Sequence, residues 1–77
     1  MAILLRCRLA TRTPTAVTYR WGTDQGDLIW TLTIDPADPE APPRGDGDPR
    51  TRTTLAATLT LRWMREGDWP TGGAIQS

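Results

Sequence analysis

Two runs of alternating apolar and polar residues, separated by a segment that contains two glycines, constrain the fold of this chain more than any other feature. Successive side chains of a β-strand point to opposite faces, so the first run places Val17, Tyr19 and Trp21 on one face. The second run gives the same arrangement for Leu28, Trp30, Leu32 and Ile34. We predict an antiparallel hairpin with residues 23–26 as its loop. The predicted apolar pairs are Trp21 with Leu28, Tyr19 with Trp30 and Val17 with Leu32.

The segment before the hairpin predicts a third strand. Leu5 and Cys7 alternate with Arg6 and Arg8, and Pro14 follows at a corner where its fixed φ suits a turn. The predicted pairs are Cys7 with Val17 and Leu5 with Tyr19. The result is a three-stranded antiparallel meander over about residues 2–10, 15–22 and 28–35. One face is apolar and must be covered, while the other presents Arg6, Arg8 and Arg20 to water.

The cover for the apolar face is expected from residues 50–66, whose pattern fits two structures. As a helix, the segment has Asp48 as a capping residue, Pro49 at the first helical position and Gly67 at the C-cap. As a strand, its apolar residues also alternate with Thr and Arg. Strands average about 5 or 6 residues, so the length of the segment favours the helix. We therefore predict an α+β two-layer sandwich; the alternative is an all-β fold with residues 51–65 as a fourth strand.

We expect residues 1–77 to form a single small domain. Residues 36–49 are rich in Pro, Gly and acids and predict an irregular acidic loop, and residues 68–77 predict a tail. Domains of this size have small cores and often need a disulfide, a metal ion or a partner. With one Cys and no His, a disulfide within the chain is excluded and a metal site is not expected. We therefore expect a protein partner or a homo-oligomer.

The residue usage indicates the expected setting. The chain lacks Lys, Asn, Phe and His and is rich in Arg, Ala, Pro, Gly and Thr, a bias typical of a GC-rich bacterial genome. Its formal net charge is +0, which gives no bulk electrostatic argument for nucleic acid or a membrane as partner. No secretory or transmembrane segment is recognised, and we expect a cytoplasmic protein.

Catalytic chemistry is poorly supplied. There is no His or Lys, and the one Ser is Ser77, so arrangements of a nucleophile with a base lack partners. Cys7 lies on the predicted apolar face, which indicates a core residue rather than a reactive thiol. The carboxylates of the acidic loop lack the full spacing of a calcium loop. We therefore expect a protein that is not an enzyme and that uses no cofactor or metal.

Two functions fit these residues. The first is a small accessory or regulatory module that binds a protein partner or itself. The second is a nucleic-acid or anionic-ligand binder, because guanidinium groups on the open sheet face match phosphate geometry. That face has no aromatic residue for base stacking, which disfavours nucleic acid. The candidate interaction residues are Arg6, Arg8, Arg20, Asp38, Glu40, Asp46, Asp48 and Trp69.

Overall fold

A computed structural model of the chain describes residues 4–23 and 27–76. Its elements in chain order are β1 (Leu4–Arg12), β2 (Val17–Thr23), β3 (Trp30–Ile34), β4 (Arg44–Gly45), α1 (Pro49–Glu66) and β5 (Gly72–Gln76). The strands form one antiparallel sheet in the order β4-β3-β2-β1-β5, and α1 packs on one face of it. The predicted α+β class is confirmed, and residues 50–66 are helical rather than a fourth strand.

Both ends of α1 follow the chemistry of its terminal residues. The Asp48 carboxylate accepts hydrogen bonds from the Thr51 N–H at 2.9 Å and from the Thr51 hydroxyl at 2.8 Å. The first of these satisfies a backbone donor that the initial helical turn leaves without a partner. At the other end Gly67 has a φ of 80°, and its N–H donates to the Trp63 carbonyl at 2.8 Å. The helix therefore begins and ends where its capping residues favour it.

The core lies between α1 and the sheet face that carries the alternating apolar residues. Its buried members are Leu5, Cys7, Val17, Tyr19, Trp21, Leu32, Ile34, Leu55, Ala56, Leu59 and Trp69, with Leu9, Trp30 and Trp63 packed against them. The ring centroids of Trp21 and Trp30 are 4.7 Å apart. The predicted face is confirmed for these strand residues. It is wrong for Leu28, which precedes β3 and lies outside the buried core.

The register of the β2–β3 hairpin differs from the prediction by two residues. The observed pairs are Trp21 with Trp30, Tyr19 with Leu32 and Val17 with Ile34. Strand β2 continues through Gly22 and Thr23, and the Ile29 N–H donates to the Asp27 carbonyl at 3.0 Å, a local turn that precedes β3. The predicted pairs are therefore wrong, but the faces are retained because a shift of two residues preserves the alternation. Residues 24–26 of the predicted loop lie outside the described residues.

The pairing of β1 with β2 is displaced further. The observed pairs are Leu5 with Thr23, Cys7 with Trp21 and Leu9 with Tyr19, and the predicted pairs of Cys7 with Val17 and Leu5 with Tyr19 are wrong. Strand β1 runs on to Arg12, past the predicted end at residue 10, so the turn moves toward β2. A β-bulge between Leu9 and Thr11 shifts the register by one residue and lets the longer strand keep its pairing.

Two of the strands are absent from the sequence prediction. Part of the segment predicted as a tail forms β5, which pairs with β1 from Leu4 to Arg8. Within the acidic loop, β4 pairs Arg44 with Thr33 and Gly45 with Leu32. The edges that the prediction leaves open, along β1 and β3, are therefore covered along five residues of β1 and two residues of β3.

Candidate functional site

An apolar groove lies between the acidic loop and one side of α1. Its volume is about 450 Å³, within the range of small binding pockets. The loop wall consists of residues 39–43, and the helix wall consists of Thr53, Ala56, Ala57, Thr60, Leu61 and Met64. We call this surface the loop–helix groove. Apart from Glu40 and the two threonines its walls are Pro, Ala, Leu and Met, so it is suited to apolar contact rather than to chemistry.

Hydrogen bonds hold the loop wall against the helix. The loop begins with a turn in which the Ala37 N–H donates to the Asp35 carboxylate at 2.9 Å. Farther on, Arg52 of α1 donates from Nε to the Pro43 carbonyl at 3.3 Å and from Nη1 to the Gly47 carbonyl at 3.2 Å. A charged donor strengthens such bonds. One arginine of the helix therefore fixes the loop at two points and keeps the groove open.

Two large apolar side chains project beside the groove. Leu61 is 67% exposed and Met64 is 70% exposed, although both belong to α1. With Ala57 they repeat at spacings of four and three residues, which places them on one side of the helix. This second apolar stripe is separate from the buried Leu55 and Leu59, and the sequence analysis did not identify it. The same helical spacing was the signal that could have revealed it.

The groove also contains an unpaired polar atom. Thr60 is 8% exposed and lines the helix wall. Within residues 4–23 and 27–76 its Oγ1 has no hydrogen-bond partner. Nearly all buried polar side-chain atoms in proteins are paired, so this enclosed hydroxyl, which lies behind the groove surface, costs stability.

Three of the predicted interaction residues come together on the other side of the sheet. Arg6, Arg8 and Arg20 are exposed on the face turned away from α1, and Arg8 lies directly opposite Arg20. Arg44 of β4 pairs with Thr33 and adds a fourth guanidinium group to this face. We call this surface the arginine face. It contains a separate groove of about 350 Å³ beside Arg6 and Arg8.

The predicted acidic residues have separate surroundings and do not form one site. Asp48 caps α1, and Asp46 accepts a hydrogen bond from the Thr31 hydroxyl at 3.2 Å. Glu40 lines the loop–helix groove, while Asp38 is exposed in the first turn of the loop. In the part of the chain that the structure describes, no three Cys, Asp or Glu side chains are grouped closely enough to hold a metal ion. A role for these acids in partner binding stays a prediction.

Trp69, Tyr19 and Cys7 lie in the core. Trp69 is 6% exposed and stacks on Trp63 with ring centroids 4.5 Å apart, so we leave it out of the interaction surface. The Tyr19 hydroxyl donates to the Pro70 carbonyl at 2.6 Å. Burial raises the pKa of the Cys7 thiol, which disfavours the reactive thiolate. These three residues are buried and stabilise the fold.

Among the described residues, no helix has both the length and the hydropathy that crossing a membrane requires. Comparison of the chain with protein-family models, with curated proteins and with solved structures gives no match. The functional interpretation therefore rests on the two surfaces of the molecule itself.

Proposed function

We propose that this chain is a small, non-enzymatic protein-interaction module that docks through the loop–helix groove, and that its partner is a second copy of itself. The observation that carries the proposal is the apolar groove with two largely exposed apolar side chains, Leu61 and Met64, on its helix wall. A cytoplasmic setting is part of the proposal, since the single Cys7 is buried and without a second cysteine to pair with.

The shape of the surface suits a two-fold dimer. In such a dimer the same patch is used on both copies and must fit itself. Here the concave groove and the projecting Leu61 and Met64 occupy one patch. The projecting side chains of one copy would enter the groove of the other, and the reverse contact would form at the same time.

The charges beside the groove also fit this arrangement. Glu40 stands in the loop wall, and Arg65 is exposed on α1 one turn after Leu61. A two-fold dimer that packs the loop of each copy against the helix of the other brings Glu40 toward Arg65 of the partner copy. Opposite charges at the rim of an interface select the register more than they add affinity.

The exposed area indicates a weak dimer. Complete burial of a Leu or Met side chain is worth about 1.5–3 kcal/mol, so burying the exposed two-thirds gives roughly 1–2 kcal/mol for each side chain. Two such residues in each of two copies contribute roughly 4–8 kcal/mol, and burial of the Pro and Ala side chains of the groove walls adds to this against an association cost of at least about 4 kcal/mol. We expect a dissociation constant of about 10–1000 µM.

Sedimentation equilibrium over a range of protein concentrations tests the proposal. The natural chain should show a concentration-dependent mass between monomer and dimer. The double variant Leu61→Glu/Met64→Glu should remain a monomer, because each change brings a charge into the apolar contact. Ile29→Glu is the matched control, since Ile29 is 63% exposed but lies outside the groove. That variant should associate like the natural chain.

A charge exchange gives an independent check. Glu40→Arg and Arg65→Glu should each weaken association, and the double variant should recover it, because the pair is then restored in reverse. A natural chain that stays monomeric at about 1 mM would contradict the proposal. Association that Ile29→Glu abolishes and Leu61→Glu/Met64→Glu leaves intact would contradict it as well, since the contact would then lie elsewhere.

A further inference from the structure

We propose that the arginine face binds a small phosphorylated ligand, a molecule with a diphosphate group, in the groove beside Arg6 and Arg8. This face of the sheet is turned away from α1 and takes no part in the loop–helix groove. The inference is therefore independent of self-association.

The register of the sheet concentrates positive charge at this place. Arg8 lies directly opposite Arg20, and Arg6 shares their face two residues along β1. Opposed residues of antiparallel strands have Cα atoms about 4.5–5.5 Å apart, and residues two apart along a strand are separated by roughly 7 Å. Among the described residues the one ion pair joins Arg12 to Asp68, on other parts of the chain. The backbone positions of the three arginines therefore lie close together, and among the described residues none of the three forms a salt bridge.

An opposed pair of like charges costs stability in a sheet. Hydroxyl pairs are among the favourable cross-strand pairs, and this face contains one, because Thr18 of β2 and Thr33 of β3 hydrogen-bond at 3.0 Å. The Arg8–Arg20 pair departs from that arrangement. An anion bound between the two arginines would attract both guanidinium groups and offset their mutual repulsion, which would explain why the pair is present.

Small residues open the groove. Arg6 is flanked across the sheet by Gly22 and Ala74, and Arg8 has Gly72 on its β5 side. These neighbours have little or no side chain to fill the space between the arginines. Leu28 closes the groove on one side, and the 71–74 segment closes it on the other. The resulting volume of about 350 Å³ is within the range of small-molecule sites.

The chemistry of the face favours phosphate groups on a small molecule. A guanidinium fork donates two parallel hydrogen bonds to a phosphate, and adjacent forks can contact successive phosphates. Nucleic acid is disfavoured, because within the described strands this face carries no aromatic side chain for base stacking and the chain has a formal net charge of +0.

Titration with inorganic pyrophosphate tests the site, with binding measured by calorimetry and by changes in backbone amide chemical shifts. Saturable binding at low salt should shift the amides of Arg8, Arg20 and Gly72, and affinity should fall as salt rises. Arg8→Thr should weaken binding by about 10- to 100-fold, the loss expected when a charge-assisted hydrogen bond is removed. Arg50→Ala, which removes the same charge at an exposed position of α1 outside both grooves, should leave the affinity unchanged. Circular dichroism of both variants should match that of the natural chain.

Three results would overturn the proposal. The lack of a saturable response at pyrophosphate concentrations up to about 10 mM would show that the groove has no useful affinity. Equal weakening by Arg8→Thr and Arg50→Ala would show that bulk charge, and not the groove, attracts the anion. Binding of a single-stranded oligonucleotide that pyrophosphate does not displace would assign the face to nucleic acid.

Discussion

Replacement of Gly47 by alanine should destabilise this protein more than the same exchange at Gly67, although the two glycines have similar positive φ. Gly47 lies where the acidic loop crosses the core side of the sheet, and its φ is +86°. A Cβ built there would lie 2.5 Å from Trp21 Cζ2 and 3.0 Å from Trp30 Cγ. The loop therefore rests its backbone directly on the two indole rings.

The expected cost has two parts. A non-glycine residue in the left-handed region costs about 1–2 kcal/mol. Overpacking of a filled core adds about 1–3 kcal/mol, and Trp21, 1% exposed and against Trp30, has little room to retreat. Gly47→Ala should thus cost roughly 2–5 kcal/mol. A domain of this length has a total stability of roughly 4–12 kcal/mol, so the loss is large.

Gly67→Ala provides the matched control. Gly67 has a φ of +80°, yet nothing lies within 4 Å of the position of its Cβ. That variant should lose only the backbone part, about 1–2 kcal/mol. Urea unfolding followed by tryptophan fluorescence and circular dichroism measures both losses. Equal loss of unfolding free energy in the two variants would contradict this prediction, because contact with the indole rings would then add nothing to the cost of Gly47→Ala.

Three further predictions concern single groups. Burial raises the pKa of Tyr19, the one tyrosine, so the stability that this group contributes is fully present below about pH 10 and should fall at higher pH. Tyrosinate absorbance should therefore appear together with unfolding. Tyr19→Phe should cost about 1 kcal/mol, because the hydrogen bond to the Pro70 carbonyl is lost. The hydrogen bond from the Thr51 N–H lowers the pKa of Asp48 below the ordinary 3.8, so its stabilisation is present above that pH and is lost as the pH falls through the folded value. Asp48→Asn keeps the cap and should flatten the pH dependence of urea unfolding in this acidic range, whereas an unchanged slope would assign the dependence to other carboxylates. Thr60→Val should raise the free energy of unfolding by about 1 kcal/mol, because it removes a buried hydroxyl without a partner; a loss of stability would indicate a hydrogen bond there.

The alternation of apolar residues was sufficient to predict which side chains face the core but not how the strands pair. Val17, Tyr19 and Trp21 are buried as expected. Their observed partners in β3 differ from the predicted ones by two residues. A displacement by two residues leaves every side chain on the same face, so the apolar pattern cannot distinguish the two registers. The position was fixed instead by the local turn at Asp27 and by the continuation of β2 through Gly22, which short-range pattern reading does not weigh.

The helix was predictable from its ends, since Asp48, Pro49 and Gly67 each act as their residue types favour. Strand β5 was not, because the 72–74 segment is Gly-Gly-Ala and has low strand propensity. Its strand conformation comes from pairing with β1, a tertiary interaction. The loop–helix groove depends in the same way on Arg52 of the first helical turn bonding to carbonyls of the loop just before the helix, a contact that the sequence pattern does not reveal.

The interaction surface can be located most directly by measuring intermolecular nuclear Overhauser effects in a mixed sample of labelled and unlabelled chain at about millimolar concentration. We expect contacts from the Met64 and Leu61 methyl groups of one copy to Pro42 and Ala57 of the other. Intermolecular contacts that involve Ile29 and omit both helix residues, or no intermolecular contacts at all, would contradict self-docking through this groove.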